Sequence, residues 1–216
     1  MLSLSRIHYP VTVLGPGRRV GIWVQGCAIR CHGCVSADTW APDAGGAAEV
    51  DDIVAWVTRL PADQVDGVTI SGGEPFDQPA AVSALVDGLS GWRSGLPHDV
   101  DLLCYTGYSA SVARRRAPRI VSGVDAMVCG PFIQSRPTTR PLRGSANQRL
   151  IPLSELGFER YGQTGPAADD GRPRLQVEAA GDDLWLVGIP RVGDLPKLRA
   201  MLALRGVELG EVSWTS

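Results

Sequence analysis

The chain has 216 residues, 44% apolar and 20% charged, with a formal net charge of −2. That composition excludes disorder, and the near-neutral balance gives no global basic field for a nucleic-acid partner. No stretch approaches the ~18 uninterrupted apolar residues of a membrane span, and the length suits one domain, or one domain with a small extension.

The N-terminal MLSLSRIHYPVTVLGPG has no apolar signal core and no cleavage-site pattern, so the expected compartment is the cytoplasm, with no membrane partner. Thiols stay reduced there, which favours metal over disulfide for clustered cysteines. After a GPG turn, RRVGIWVQG predicts a buried strand over residues 19–25. The next segment carries Cys27, Cys31 and Cys34 in a C-x3-C-x2-C spacing, is broken by Gly26 and Gly33, and predicts a loop. A helix would put the three thiols on one face at i, i+4 and i+7, but glycines and β-branched neighbours disfavour it.

EVDDIVAWVTRLP predicts a helix with Ile53, Val54 and Val57 on one side, Asp51 and Asp52 in its first turn and Pro61 as its stop. DGVTISGGEP predicts a strand ending in a double glycine, QPAAVSALVDGLSGW a second helix and DVDLLCYTGYS a third strand. SASVARRRAP predicts a helix capped by Ser109 and followed by Pro118, and VDAMVCGPF a fourth strand. Strands alternating with helices indicate βαβ units and a mostly parallel sheet. Residues 134–149, QSRPTTRPLRGSANQR, are polar and basic and predict a long loop of the kind that tends to be functional. GQTGPAADDGRP, residues 162–173, predicts a flexible link. RLQVEAA and DDLWLVGIP predict two further strands, and GDLPKLRAMLALRG a closing helix with Gly206 as its cap.

Three chemistries fit the cysteine spacing. Structural zinc takes four ligands in a closed tetrahedron; the segment supplies three thiolates, His32 sits awkwardly beside Cys31, and His8 and His98 are distant in sequence. A ferredoxin-type cluster takes four cysteines at another spacing. An iron–sulfur cube held by three thiolates leaves one iron open, and an open coordination position is what catalysis at a metal requires. In TISGGEP, tandem glycines allow close approach to the backbone and Glu74 offers a carboxylate to an ammonium group, although a plain strand-to-helix turn would use the same glycines. Tyr105, Thr106 and Gly107 end a strand on the same edge. Cys104 and Cys129 read as core packing, Arg114–Arg116 as a solvated helix face, and Asn147 and Arg149 as candidates for a substrate mouth. The G-x-G of GPGRRVG precedes a strand, whereas a dinucleotide fingerprint follows one.

The C-x3-C-x2-C spacing resembles that of the radical S-adenosylmethionine (SAM) superfamily. GIWVQGC, CHGC, DTW, SGGEPFDQ, YTGY, GPFI and LRGSANQRLI, over roughly residues 15–152, resemble the anaerobic ribonucleotide reductase activating proteins and their paralogues. The resemblance implies an α/β fold, a partial open (βα) barrel with a mostly parallel sheet and a small C-terminal α+β extension. Residues 1–155 would form the core and 156–216 an extension packed on it. It implies a 4Fe-4S cluster on Cys27, Cys31 and Cys34, with SAM at the open iron, and contacts to SAM from Gly72, Gly73, Glu74 and Pro75. Tyr105 and Thr106 become candidates for its ribose or methionine part, and Trp40 for its adenine. One electron would cleave SAM to a 5′-deoxyadenosyl radical that abstracts hydrogen. The implied partners are a one-electron donor of flavodoxin or ferredoxin type and a glycyl radical enzyme. Direct action on a peptide, protein side chain or small metabolite is the alternative within the superfamily, and a zinc-stabilised interaction module is the alternative outside it. Two positions depart from the pattern: Gly33, where many superfamily members carry an aromatic residue, and Cys129, where activases commonly carry an acid before GPF.

Overall fold

A computed structural model describes residues 1–42, 46–162, 174–180 and 183–210. The apolar runs become four short parallel strands in a row: β2 (Arg19–Val24), β4 (Gly67–Gly72), β5 (Asp101–Thr106) and β6 (Ala126–Cys129). Antiparallel strands flank them. β1 (Leu2–Val11) pairs β2, β3 (Gly46–Ala48) pairs β1, and β7 (Arg149–Pro152) pairs β6, which completes a seven-stranded sheet of order β3-β1-β2-β4-β5-β6-β7. Helices α1 (Val50–Thr58), α2 (Pro79–Ser94), α3 (Ala110–Arg116) and α4 (Pro118–Gly123) fill the crossovers. Ile53, Val57, Leu85, Leu89 and Ile120 on them are buried against the strands. Beyond β7 come α5 (Glu155–Tyr161), a separate antiparallel hairpin of β8 (Leu175–Ala180) and β9 (Asp183–Gly188), and α6 (Asp194–Ala203). No helix among the described residues is long and apolar enough to cross a membrane.

The predicted strands, helices and cysteine loop fall where the sequence places them, and Ser109 caps α3 by accepting the Val112 N–H at 3.4 Å. Several features differ or are new, the short β3 among them. β1 arises from an alternating segment read above only for targeting. Pro118 does more than follow α3: it opens α4 from the first helical position, where its missing N–H costs nothing. The stretch after the long polar loop forms β7, and α5 follows it. Of the expected link, residues 163–173 lie outside the described residues.

The edge where the parallel strands begin is closed by a buried charge network. Arg19, wholly buried, donates to Asp101 Oδ1 and Oδ2 (2.9 and 2.8 Å), Thr69 Oγ1 (2.7 Å) and the Val68 carbonyl (2.9 Å). Tyr161 Oη and Arg160 Nη1 of α5 donate to the same carboxylate at 2.5 and 2.6 Å. Burial works against ionisation of Asp101, yet the Arg19 charge and the converging donors outweigh it and hold the carboxyl below its usual range. Gly67 has no side chain because a Cβ there would run into the Arg19 guanidinium.

Candidate functional site

Parallel register sends the loops after β2, β4, β5 and β6 out of one edge of the sheet, opposite the Arg19 network. Val24 aligns with Gly72, Ile70 with Cys104, and Thr106 with Cys129. The loop after β2 carries the three cysteines. Its neck is pinned by Gln25 Nε2, which donates to the Asp38 and Ala41 carbonyls (3.1 and 2.7 Å), and by the Gly26 and Cys27 N–H groups on Thr39 O and Trp40 O (2.8 and 3.2 Å). Within the loop, Arg30 (φ 47°) and Gly33 (φ 73°) take left-handed backbone, which folds the chain back so that the Cys34 N–H reaches Cys31 O at 3.1 Å. The Gly33 departure has a steric reason here: a Cβ would press on the Gln134 side chain at 3.0 Å. The same glutamine bonds His32 Nδ1 at 2.9 Å, joining the cysteine loop to the long polar loop.

All three thiols are free and half-buried. Burial pushes them up, and nearby donors oppose it: the Arg30 and Ile29 N–H groups at Cys27, the Phe132 N–H at Cys31, and the Ser36 N–H at Cys34. The indole N–H of Trp40 is buried without a full hydrogen bond and acts on Cys34 in the same direction. Among the described residues, no three His, Cys, Asp or Glu side chains converge on one metal-ion position. The remaining histidines lie elsewhere, His8 beside Trp185 and His98 on the Val65 carbonyl. Three half-buried thiols on one loop, close enough to act on one another and each supplied with N–H donors, fit a multi-iron cluster that takes one thiolate per iron and is tuned by hydrogen bonds to sulfur.

The GGEP segment is locked to the neck of that loop. The Gly73 and Glu74 N–H groups donate to Val24 O and Gly26 O, both at 2.8 Å. A Cβ on Gly72 (φ 100°) would meet Val24 O at 2.5 Å, and one on Gly73 would collide with Gly26 O. The tandem glycines thus serve a backbone-to-backbone approach within the protein. Downstream, Asp77 Oδ2 accepts the Ala28 N–H at 3.0 Å, and Gln78 Nε2 donates to Gln25 O at 2.9 Å. Glu74 is only 1% exposed. It accepts from Phe76 N (2.9 Å) and Thr106 Oγ1 (2.8 Å) on Oε1, and from Gly107 N (2.7 Å) on Oε2. Burial pushes its pKa up to about 7 in spite of those donors. Glu74 therefore fastens GGEP to the turn after β5.

A cavity of about 690 Å³ opens beside Cys34, within the range of ligand pockets. Its core side includes Cys34, Ser71, Gly72, Tyr105 and Gln148; its far wall comes from β9, with Trp185 and Val187, from Ile189 just beyond it, and from residues 207–210. The hairpin is seated by Trp185, edge-on to Trp23 and His8 at 5.0 and 4.9 Å, and by Gln176, which bonds Thr12 N and Pro10 O at 3.0 and 2.7 Å.

Of the residues singled out from sequence, Cys34, Gly72 and Tyr105 line the cavity. Cys27, Cys31, Gly73, Glu74, Pro75, Thr106 and Trp40 are not part of its lining. Trp40 backs Cys34, and Thr106 is spent on Glu74. Asn147 and Arg149 are not in the lining; the residue between them, Gln148, is. Arg116, read as solvated, bonds Asp77 at 3.1 Å and lies over the Tyr108 ring. Cys104 and Cys129 are buried packing residues, as expected. Sequence reasoning missed Ser71, Gln134, Gln148 and Trp185; only the apolar run Leu184–Val187 in DDLWLVGIP hinted that Trp185 would face something.

Residues 13–151 match the family described as the 4Fe-4S single cluster domain. The anaerobic ribonucleoside-triphosphate reductase-activating protein of Vibrio cholerae is 31% identical over 145 residues, covering 65% of this chain and 92% of the relative. That of phage T4 is 28% identical over 151 residues, 69% of this chain and 93% of the relative. The pyruvate formate-lyase-activating enzyme of Listeria monocytogenes is 36% identical over 81 residues, 35% of this chain and 33% of the relative. The family match stops at Ile151, so α5, the β8–β9 hairpin and α6 lie beyond it.

Proposed function

The chain belongs to the 4Fe-4S single cluster domain family and to that of the anaerobic ribonucleoside-triphosphate reductase-activating proteins, and from that premise we propose that it is a radical SAM activating enzyme that places a radical on a glycyl radical protein. The observation that carries this reading is the union of three free thiols with GGEP at the neck of one loop, opening on a ligand-sized cavity. When bound, the 4Fe-4S cluster and SAM supply a one-electron cleavage that yields a 5′-deoxyadenosyl radical for hydrogen abstraction.

The chain's own residues hold and shield that chemistry. Cys27, Cys31 and Cys34 would hold the cluster, one thiolate to each of three irons, and the surrounding N–H groups would stabilise the sulfur charge. Gly72, with Ser71 and Tyr105, borders the space beside Cys34 where SAM is held. Gly73 and Pro75 keep that border in place. Glu74 positions it through Thr106 and Gly107, and its carboxylate would meet a SAM ammonium only by sharing its three present donors. Trp40 supports Cys34. Trp23 and Trp185 exclude water from the far side.

In the same reading the four parallel strands form a partial open (βα) barrel, the core ends near residue 155, and residues 156–216 form an extension packed on it. The electron comes from a flavodoxin- or ferredoxin-type donor, in the cytoplasm. The test is anaerobic reconstitution. About four irons per chain and release of 5′-deoxyadenosine from SAM on reduction are expected. A colourless protein with one stoichiometric zinc would overturn the reading.

A further inference from the structure

The long polar loop contains a buried cation without a counter-charge. Arg143 is 6% exposed, its Nε makes one long bond to Pro141 O at 3.4 Å, and its Nη2 is buried with no partner. Among the described residues no acidic side chain forms an ion pair with it. A buried guanidinium left in that state carries a heavy desolvation penalty. The residue before it, Leu142, holds left-handed backbone (φ 60°), a strained conformation for a side chain of that kind. The residue after it, Gly144, lines the cavity.

The Tyr105 hydroxyl is a second orphan, buried and without a hydrogen bond, on a residue that also lines the cavity. The Tyr105 hydroxyl is within electrostatic reach of Arg19 first and of Arg143 next, and Arg140 adds a further positive charge near Arg143. Burial and Arg140 press the Arg143 pKa down, but a guanidinium stays protonated. A cationic fork beside an unspent hydroxyl matches carboxylate or phosphate oxygens, which accept from both.

We propose that Tyr105 of the cavity lining and Arg143, which sits behind the lining next to Gly144, form an anion subsite at the margin of the cavity, which takes a carboxylate or phosphate group of the molecule bound there. The group comes from one of two sources, the carboxylate of SAM itself or an acidic group on the second substrate. The assignment rests on the cavity being the ligand site described above.

Thermal unfolding of the reconstituted protein in sodium phosphate and in sodium chloride at equal ionic strength tests it. Phosphate should raise the midpoint of wild type more than that of Arg143→Met or Tyr105→Phe, which removes any general salt effect from the comparison. In chloride, Arg143→Met should unfold at or above the wild-type temperature, since it removes an unpaired buried charge. Arg143→Lys should keep part of the phosphate response. An Arg143→Met variant that melts well below wild type, or equal phosphate responses in wild type, Arg143→Met and Tyr105→Phe, would make these structural groups and overturn the proposal. Titration with SAM and with 5′-methylthioadenosine, which lacks the carboxylate, then identifies the source. At least a tenfold loss for SAM alone in Arg143→Met assigns the anion to SAM; unchanged SAM affinity with a lost phosphate response assigns it to the second substrate. The phosphate comparison can also be run without cluster or SAM, so failure of the subsite and failure of the radical SAM reading are told apart.

Discussion

At the edge where the parallel strands begin, Arg19 is wholly buried and each guanidinium nitrogen has an acceptor. At the edge where they end, three thiols stand free and the Tyr105 hydroxyl and one nitrogen of Arg143 have no partner. The same sheet therefore carries a polar cluster that is finished and one that is not. Buried polar groups are normally satisfied. A satisfied network is consistent with support, and the unsatisfied one holds the donors that the proposed anion subsite would use.

The sharpest way to break this contrast is at the thiols. Cys27→Ala, Cys31→Ala and Cys34→Ala should each abolish iron binding, read by iron content after reconstitution, while circular dichroism keeps the wild-type fold. Cys104→Ala and Cys129→Ala should retain iron near the wild-type level; if either loses it as badly, the set of three thiolates is wrong.

Asp101→Asn should do the reverse. Removing the partner of a buried arginine costs about 3–5 kcal/mol, measurable by urea unfolding, while the folded fraction keeps its iron. Because the folded pKa of Asp101 lies below the unfolded value of about 3.9, its contribution is present above that pH and is lost as pH falls through the folded value. Wild type and variant should converge in stability there. A loss under about 1 kcal/mol, the worth of an exposed pair, would deny the network its supporting role.

Glu74→Gln lies between the two edges in effect. It should leave the cluster complete and weaken SAM binding by about 10- to 100-fold, the range of one lost charge-assisted contact, as read by calorimetric titration. Glu74 has a folded pKa of about 7, raised above its unfolded value, so its contribution to stability is full below the unfolded pKa and is lost as pH rises through about 7. The variant should lack that decline. An unchanged dissociation constant would remove Glu74 from the SAM site. The smallest effect belongs to Ser109→Ala, which should cost about 0.5–1 kcal/mol as a lost helix cap and leave iron and SAM binding untouched.

The sheet's parallel centre was legible because its strands are short apolar runs between periodic helices, and the cysteine loop because glycines interrupt it. GGEP was legible as a motif but not in its use, since the collision of a Gly73 Cβ with Gly26 O appears only when β2 and β4 pair. The side-chain bonds from Arg19 to Thr69 and Asp101 and from Tyr161 to Asp101 span 50 to 82 positions in the chain, so no local pattern announces the network. Arg143 looked like one more basic residue in a polar loop; its isolation depends on the folding of that loop, which packs the neighbouring Leu142 against the same cluster as Tyr105. The far wall of the cavity was hidden for the same reason, because a strand pattern around Trp185 does not say which surface the strand covers.

The β8–β9 hairpin is a two-stranded sheet that pairs with no strand of the core. Such a ribbon is marginal alone, and the Trp185 contacts and Gln176 bonds hold it with far less than the main ladder has. Segments of this kind open at lower free energy than a central sheet. In deuterium, the amides of 175–178 and 184–188 should therefore exchange well before those of β4 and β5, which wait for global unfolding. The cavity therefore has one wall far less stable than the other: the hairpin side, against a thiol side tied through Val24 O and Gly26 O to the GGEP backbone.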